Sequence, residues 1–192
     1  MPGITLSKEF REHYSGRKLN DLGKMETKKN IRTFAKLGYS QLDTAEIVSN
    51  LNKLSANYNV YLQKLKNFHW NVKGDDFFEL YEKFEELYRR AYDEIDEIAG
   101  RIRLFGQRPL STFSDYLKHA DLEEVHGDYT SLEMVRELLN DMRVIISIME
   151  ECIQAAGEIG DNGTEDMMKS FIRNMEKDHW MFTAWLMQDI EN

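Results

Sequence analysis

The chain has 192 residues, 42% of them hydrophobic, with a mean hydropathy of −0.59 and a formal net charge of −9, the profile of a soluble globular protein with one sizeable core. No stretch approaches the ~20 apolar residues of a membrane-spanning helix, and Lys8, Glu9, Arg11 and Glu12 stand where a secretory leader needs an apolar run, so no membrane partner and a cytoplasmic location are expected. The single cysteine, Cys152, excludes an intrachain disulfide and reads as a small buried hydrophobe.

The charge is unevenly shared. The first 40 residues carry nine Lys and Arg against four Asp and Glu, a net +5, which leaves the remainder at −14. Scattered apolar residues, four glycines and no sustained period make residues 1–39 a basic, flexible extension, and the expected folded domain spans 40–192.

Four long periodic segments come after it. Asp43-Thr-Ala-Glu46 offers a capping box to a first helix that runs to about Asn71, with Ile47, Leu51, Leu54, Tyr58, Leu62, Leu65 and Phe68 on one side. Asp76-Phe-Phe-Glu79 offers another to a second helix, which Gly106 and Pro109 stop. The segment STFSDYLKHADLEE then has room for one short helix in a crossover. Thr130 or Ser131 caps a third long helix, with Leu132, Val135, Leu139, Met142, Ile146, Met149 and Ile153 inward and a stop between Gly157 and Gly163. The fourth runs from about Thr164 with Met168, Phe171, Ile172, Met175, Phe182 and Leu186 inward. No segment alternates as a strand would, so the expected fold is an all-α, ferritin-like four-helix bundle with a short extra helix in the connection between helices two and three.

The second helix carries two stripes. At ~100° per residue, Phe84, Leu87, Tyr88, Ala91, Ile95, Ile98 and Ile102 form a core face, and Tyr81, Glu85, Asp96 and Gly100 fall on its flank. Glu85 and Asp96 are 11 residues apart, or about 16.5 Å along the axis, too far to bind one ion within one chain. An antiparallel copy of this helix, related by a two-fold axis near Tyr88 to Tyr92, would bring the Tyr81 and Glu85 end of one chain beside Asp96 of the other, making two equivalent shared sites.

The motifs NFHWNVKG, FFELYEKFEELY, DEIDEIAGRI, STFSDYL and EKDHWMFTAWL, in that order, resemble the Dps family of mini-ferritins, over nearly everything from about Ile31 to the C-terminus. The resemblance implies a dodecameric hollow shell in which iron(II) is oxidised, preferentially by hydrogen peroxide, at sites shared across two-fold axes, with the ferric product stored inside. It implies iron-site residues at five positions, here His69, Tyr81, Glu85, Asp96 and Gly100. His69 and Asp96 match the family pattern and Glu85 replaces an aspartate, whereas Tyr81 replaces a histidine and Gly100 removes a glutamate. The donors that remain, His69, Tyr81, Glu85 and Asp96, suit iron, and a tyrosinate binds the ferric ion well. A phenol with a pKa near ~10 must first lose its proton, so weak iron(II) binding is expected. The catalytic set is then His69, Glu85 and Asp96. Structural readings stand beside these: a packed core histidine, an interface tyrosine, and carboxylates on a solvated helix flank.

Other clusters carry less. Glu176-Lys-Asp-His179 mimics one ligand pair of an intra-bundle di-iron centre, but the helices that should complete it lack the histidine and carboxylates required, so His179 reads as core. Asp161 and Asp166 begin the fourth helix, where carboxylates favour the dipole, and the resemblance places them at three-fold pores that would draw in cations. His119, Asp121, Glu123, Glu124, His126 and Asp128 read as a solvated loop, and Met142, Met149, Met167, Met168 and Met175 as core filler. Lys8, Arg11, Arg17, Lys18, Lys24, Lys28, Lys29 and Arg32 could contact DNA phosphates without reading sequence, and twelve tails on one shell would multiply weak contacts, giving nucleoid association. Interleaved Glu9, Glu12, Asp21 and Glu26 allow the plainer reading of a solubilising arm. Two functions stay open at this point: an iron-oxidising, iron-storing cage that protects DNA, or a non-enzymatic DNA-binding or structural cage with a degenerate site.

Overall fold

The computed structural model describes residues 38–188, so all but the last two residues of the basic extension, and every DNA-contact residue proposed on it, lie outside the described part. The chain divides into two units, Met1–Arg32 and Thr33–Asn192, and all the described residues belong to the second. It is built from α1 (Ala45–Asn71), α2 (Phe77–Leu104), the short α3 (Phe113–His119), α4 (Ser131–Ile159) and α5 (Asn162–Gln188). Short turns join α1 to α2 and α4 to α5, making two antiparallel hairpins, and the long connection that carries α3 crosses between them. No helix among the described residues is long and apolar enough to cross a membrane.

The helix ends correct two expectations. Thr44 and Asp76 occupy the N-cap positions of α1 and α2 without side-chain caps, so neither expected box forms. The reciprocal pair at the first helix lies one turn earlier: the Ser40 backbone N–H donates to Asp43 Oδ2 at 3.0 Å and the Asp43 N–H donates to Ser40 Oγ at 3.2 Å. Thr130 and Glu133 do make a full capping box on α4. That helix runs through Gly157 and ends at Gly160, whose φ of 68° places it in the left-handed region and lets the Asp161 N–H reach Ala156 O at 2.8 Å. The fourth long helix starts at once, two residues before the expected Thr164.

All seven apolar residues expected on α1 are buried, as are Phe84, Leu87, Ala91, Ile98 and Ile102 on α2, with Tyr88 and Ile95 half-buried. Phe84 packs at a tilt on Phe68 at 6.1 Å and on Phe182 at 6.2 Å, linking α1, α2 and α5 through the core. On α4 the buried face is rotated from the expected one. Met134, Leu138, Ile145, Ile148 and Cys152 join Val135, Met142 and Met149 inside, and Leu132, Leu139, Ile146 and Ile153 are half-buried at the flank. This helix carries two adjacent apolar ridges, and packing against α1 and α5 decides which one is covered. Cys152 is buried, and burial pushes its thiol up to about 12, which leaves it unreactive. The crossover is pinned by two α1 asparagines. Asn52 Oδ1 accepts the Leu110 N–H at 2.9 Å, and the buried Asn57 Oδ1 accepts the N–H groups of Asp121 and Leu122, each at 3.0 Å.

Candidate metal centre

His69 sits in the last turn of α1, 5% exposed, where it faces the first turns of α2. Its Nδ1 lies 2.9 Å from the backbone oxygen of Tyr81. A carbonyl can only accept, so Nδ1 carries a proton, and in the neutral imidazole the lone pair is then on Nε2. Metal-binding histidines are commonly oriented in this way, by a carbonyl on the far nitrogen. The Tyr81 ring lies over the imidazole, with centroids 3.9 Å apart and planes 35° apart, and Tyr88 meets it edge-on at 5.4 Å. Phe77 packs on Tyr81 at 5.2 Å.

Glu85 follows Tyr81 by one turn, partly exposed, and forms an ion pair with Arg89. The structure therefore groups His69, Tyr81 and Glu85 at one end of α2. Asp96 and Gly100 are exposed farther along the same helix, and a Cβ added at Gly100 would meet nothing within 4 Å. Among the described residues of one chain no three His, Cys, Asp or Glu side chains converge as a metal site. Asp96 lies 11 residues beyond Glu85, about 16.5 Å along α2, and so stays apart from this group within one chain.

The remaining expected residues fall elsewhere. Asp161 is fully buried, paired with Arg101 and accepting the Thr164 hydroxyl, so within one chain it locks the start of α5 to the end of α2. Asp166 is exposed and lines a groove of about 490 Å³ with Asp93, Glu94 and Glu97. His179 is only half-buried, beside Arg143 and Trp180 in a shallow groove, and its neighbour Asp178 points into the bundle instead. A one-residue step along α5 is a rotation of ~100°, which is what exchanges the two. His119, expected in a loop, is instead the last residue of α3 and donates from Nδ1 to Asp115 O at 2.8 Å, whereas Asp121 lies in the loop beyond and pairs with Lys53 at 2.9 Å.

Sequence reasoning missed a set of buried charges at core positions. Asp178 pairs with Arg90 and, at 3.1 Å, with Lys83, and Glu94 lies 4.0 Å from Arg90. Lys64 and Asp141, both buried, pair at 2.8 Å between α1 and α4. Burial pushes the Glu94 carboxyl up to about 7 against the pull of the Tyr58 hydroxyl and Arg90, and pushes Asp141 up to about 6 against that of Lys64. The signal was present in the sequence: Glu94 continues the Leu87, Ala91, Ile98 series, and Asp178 continues Met168, Phe171, Met175, Phe182.

A family model described as a ferritin-like domain matches residues 48–190. The chain is 38% identical over 141 residues to general stress protein 20U of Bacillus subtilis, covering 73% of this chain and 97% of that one. It is 39% identical to the DNA protection during starvation protein of Brevibacillus brevis, covering 71% and 91%. The chain belongs to the Dps family of ferritin-like proteins. Among solved structures, Dps from Staphylococcus aureus shares 39% identity at a TM-score of 0.72, covering 74% and 95%. A Dps protein from Vibrio cholerae O1, described as one of a broad superfamily of ferritin-like diiron-carboxylate proteins, shares 36% at 0.73, covering 76% and 91%. The four-helix bundle and the short α3 in its crossover are thus those of a Dps subunit.

Proposed function

We propose that this protein forms a dodecameric Dps-type cage that binds and oxidises iron, stores the ferric product and protects DNA in stress. The observation that carries the iron site is His69, held by the Tyr81 carbonyl in the tautomer that frees Nε2, with a phenol and a carboxylate beside it. Asp96 of a partner subunit would complete each site across the two-fold axis, giving a donor set of one imidazole, two carboxylates and one phenol. Such nitrogen and oxygen donors suit iron in both oxidation states, and the phenol favours the ferric ion once ionised.

As a ferroxidase the cage would run a balanced reaction. Two iron(II) ions each give one electron to hydrogen peroxide, its O–O bond breaks, and two protons are taken up to make two waters. Iron is the substrate. Glu85 and Asp96 supply the negative charge that gathers it, and His69 fixes the geometry. At the three-fold axes Asp166, which is exposed, would draw cations inward; Asp161 would first have to leave Arg101. The basic extension, through Lys8, Arg11, Arg17, Lys18, Lys24, Lys28, Lys29 and Arg32, would hold DNA next to the shell and place it at the nucleoid.

A non-enzymatic DNA-binding or structural cage with a degenerate site is not favoured by the family matches, and Tyr81 and Gly100 are its only support. Anaerobic iron(II) titration followed by peroxide separates the two. The ferroxidase shows a saturable binding phase and oxidation faster than in buffer, with both weakened in Glu85→Gln. Oxidation at the buffer rate, indifferent to Glu85, would leave the degenerate cage.

A further inference from the structure

Arg89 lies one turn beyond Glu85 on α2 and reaches back to its carboxylate. The residue before it, Tyr88, is the one whose ring meets His69 edge-on. Lys66 of α1 and Asp93 line the same groove as Arg89, Tyr88 and Tyr92, so two cations and one carboxylate border this side of the site. An exposed pair at this spacing contributes little to helix stability, so stability alone gives Arg89 little weight. A divalent ion at Glu85 changes that. It must take carboxylate lone pairs that the guanidinium now shares, and it then sits a few ångströms from a fixed positive charge.

We propose that Arg89 is a competing cation built into the iron site: its guanidinium and the incoming metal ion contend for the Glu85 carboxylate, and its charge sets how tightly a divalent ion binds. The inference rests on the site proposed above. It locates a cause of weak iron(II) binding outside the two ligand substitutions, since Arg89 would hold the affinity down even with every ligand present. It also makes Arg89 a positioning residue, because it keeps Glu85 turned along α2 until a cation displaces it.

The test is calorimetric titration of the assembled full-length protein with zinc(II), which reports binding without redox chemistry. Arg89→Gln should tighten binding at least about fivefold, and Arg89→Lys, which keeps the charge, should stay near the parent. Removing a positive charge makes the site more negative, so affinity in Arg89→Gln should fall more steeply with added salt. In a Glu85→Gln background the effect of Arg89→Gln should shrink to less than about twofold, because the contested carboxylate is gone and only the screened repulsion between the guanidinium and the ion remains. Unchanged affinity in Arg89→Gln, or a gain that is undiminished without Glu85, overturns the proposal while leaving the metal site standing. Zinc binding indifferent to both His69→Ala and Glu85→Gln overturns the site itself, and the competition with it.

Discussion

At two positions of the proposed iron site, Tyr81 and Gly100, the family's ligand is missing, beside the conservative change at Glu85, and the structure shows how each of the two could be reversed. Gly100 faces open space on α2, so a glutamate fits there without a clash, and replacing a mid-helix glycine also stabilises by about 0.5–1 kcal/mol. Tyr81 is partly exposed and stacked on His69, so a histidine there keeps an aromatic ring beside the imidazole. Tyr81→His with Gly100→Glu should therefore speed peroxide-driven iron oxidation in the assembled cage, measured by stopped-flow absorbance; an unchanged rate would place the limiting step outside these ligands. Glu94 gives a prediction in pH. Its folded-state carboxyl near about 7 lies above the ordinary value of 4.5, so folding favours the neutral form. The stability it contributes is fully present below about 4.5 and is lost as pH rises through about 7. Glu94→Gln should then leave stability near pH 4 almost unchanged and raise it at pH 8 by up to about 3 kcal/mol, the full worth of the shift. Thermal melts at the two pH values check this, and equal effects at both would contradict it.

At the scale of elements, helix existence and the inner faces of α1 and α2 were legible in the sequence because one strong apolar period sits in each. The caps of α1 and α2 were not. Asp43 and Asp76 carry the right residue types, but a side chain caps only if the local backbone aims it, and Asp43 is taken by Ser40. The face of α4 was half legible, since two neighbouring ridges share its apolar residues and only the packed partners select between them. At the candidate site, the positions of His69, Tyr81, Glu85 and Asp96 on their helices could be read, whereas the tautomer of His69 and the Arg89 contact needed coordinates. The buried charges were hidden by a rule that reads acidic residues as surface. One junction yields a further test. A Cβ at Gly163 would lie 2.8 Å from Arg101 Nη2, and Arg101 is held by the buried Asp161 and by Thr164 at 2.7 Å. Gly163→Ala should displace that guanidinium and destabilise the protein by about 1–3 kcal/mol, read from urea unfolding. A neutral result would show that Arg101 moves aside freely.

At the scale of the whole molecule, the charge is split between a strongly acidic body and a basic first 40 residues. The residues after the first 40 carry net −14, so DNA contact should require the extension. Deleting residues 1–40 should abolish gel shifts, and in the intact protein affinity should fall steeply with salt and ignore DNA sequence. Binding that survives the deletion would move the contact to a local basic patch on the shell. The central claim is that each iron site is shared between two chains, and it is tested most directly by mixing inactive subunits. Glu85→Gln and Asp96→Asn cages each lack one carboxylate at every site. When the two are dissociated and reassembled together, a mixed pair regenerates one site with both carboxylates and one with neither, so about a quarter of all sites become native. Sharing across the two-fold axis predicts that peroxide-driven iron oxidation returns in the mixed cage to about that fraction of the parent rate, while either variant alone stays at the buffer rate. A mixed cage no faster than its two parents would contradict it.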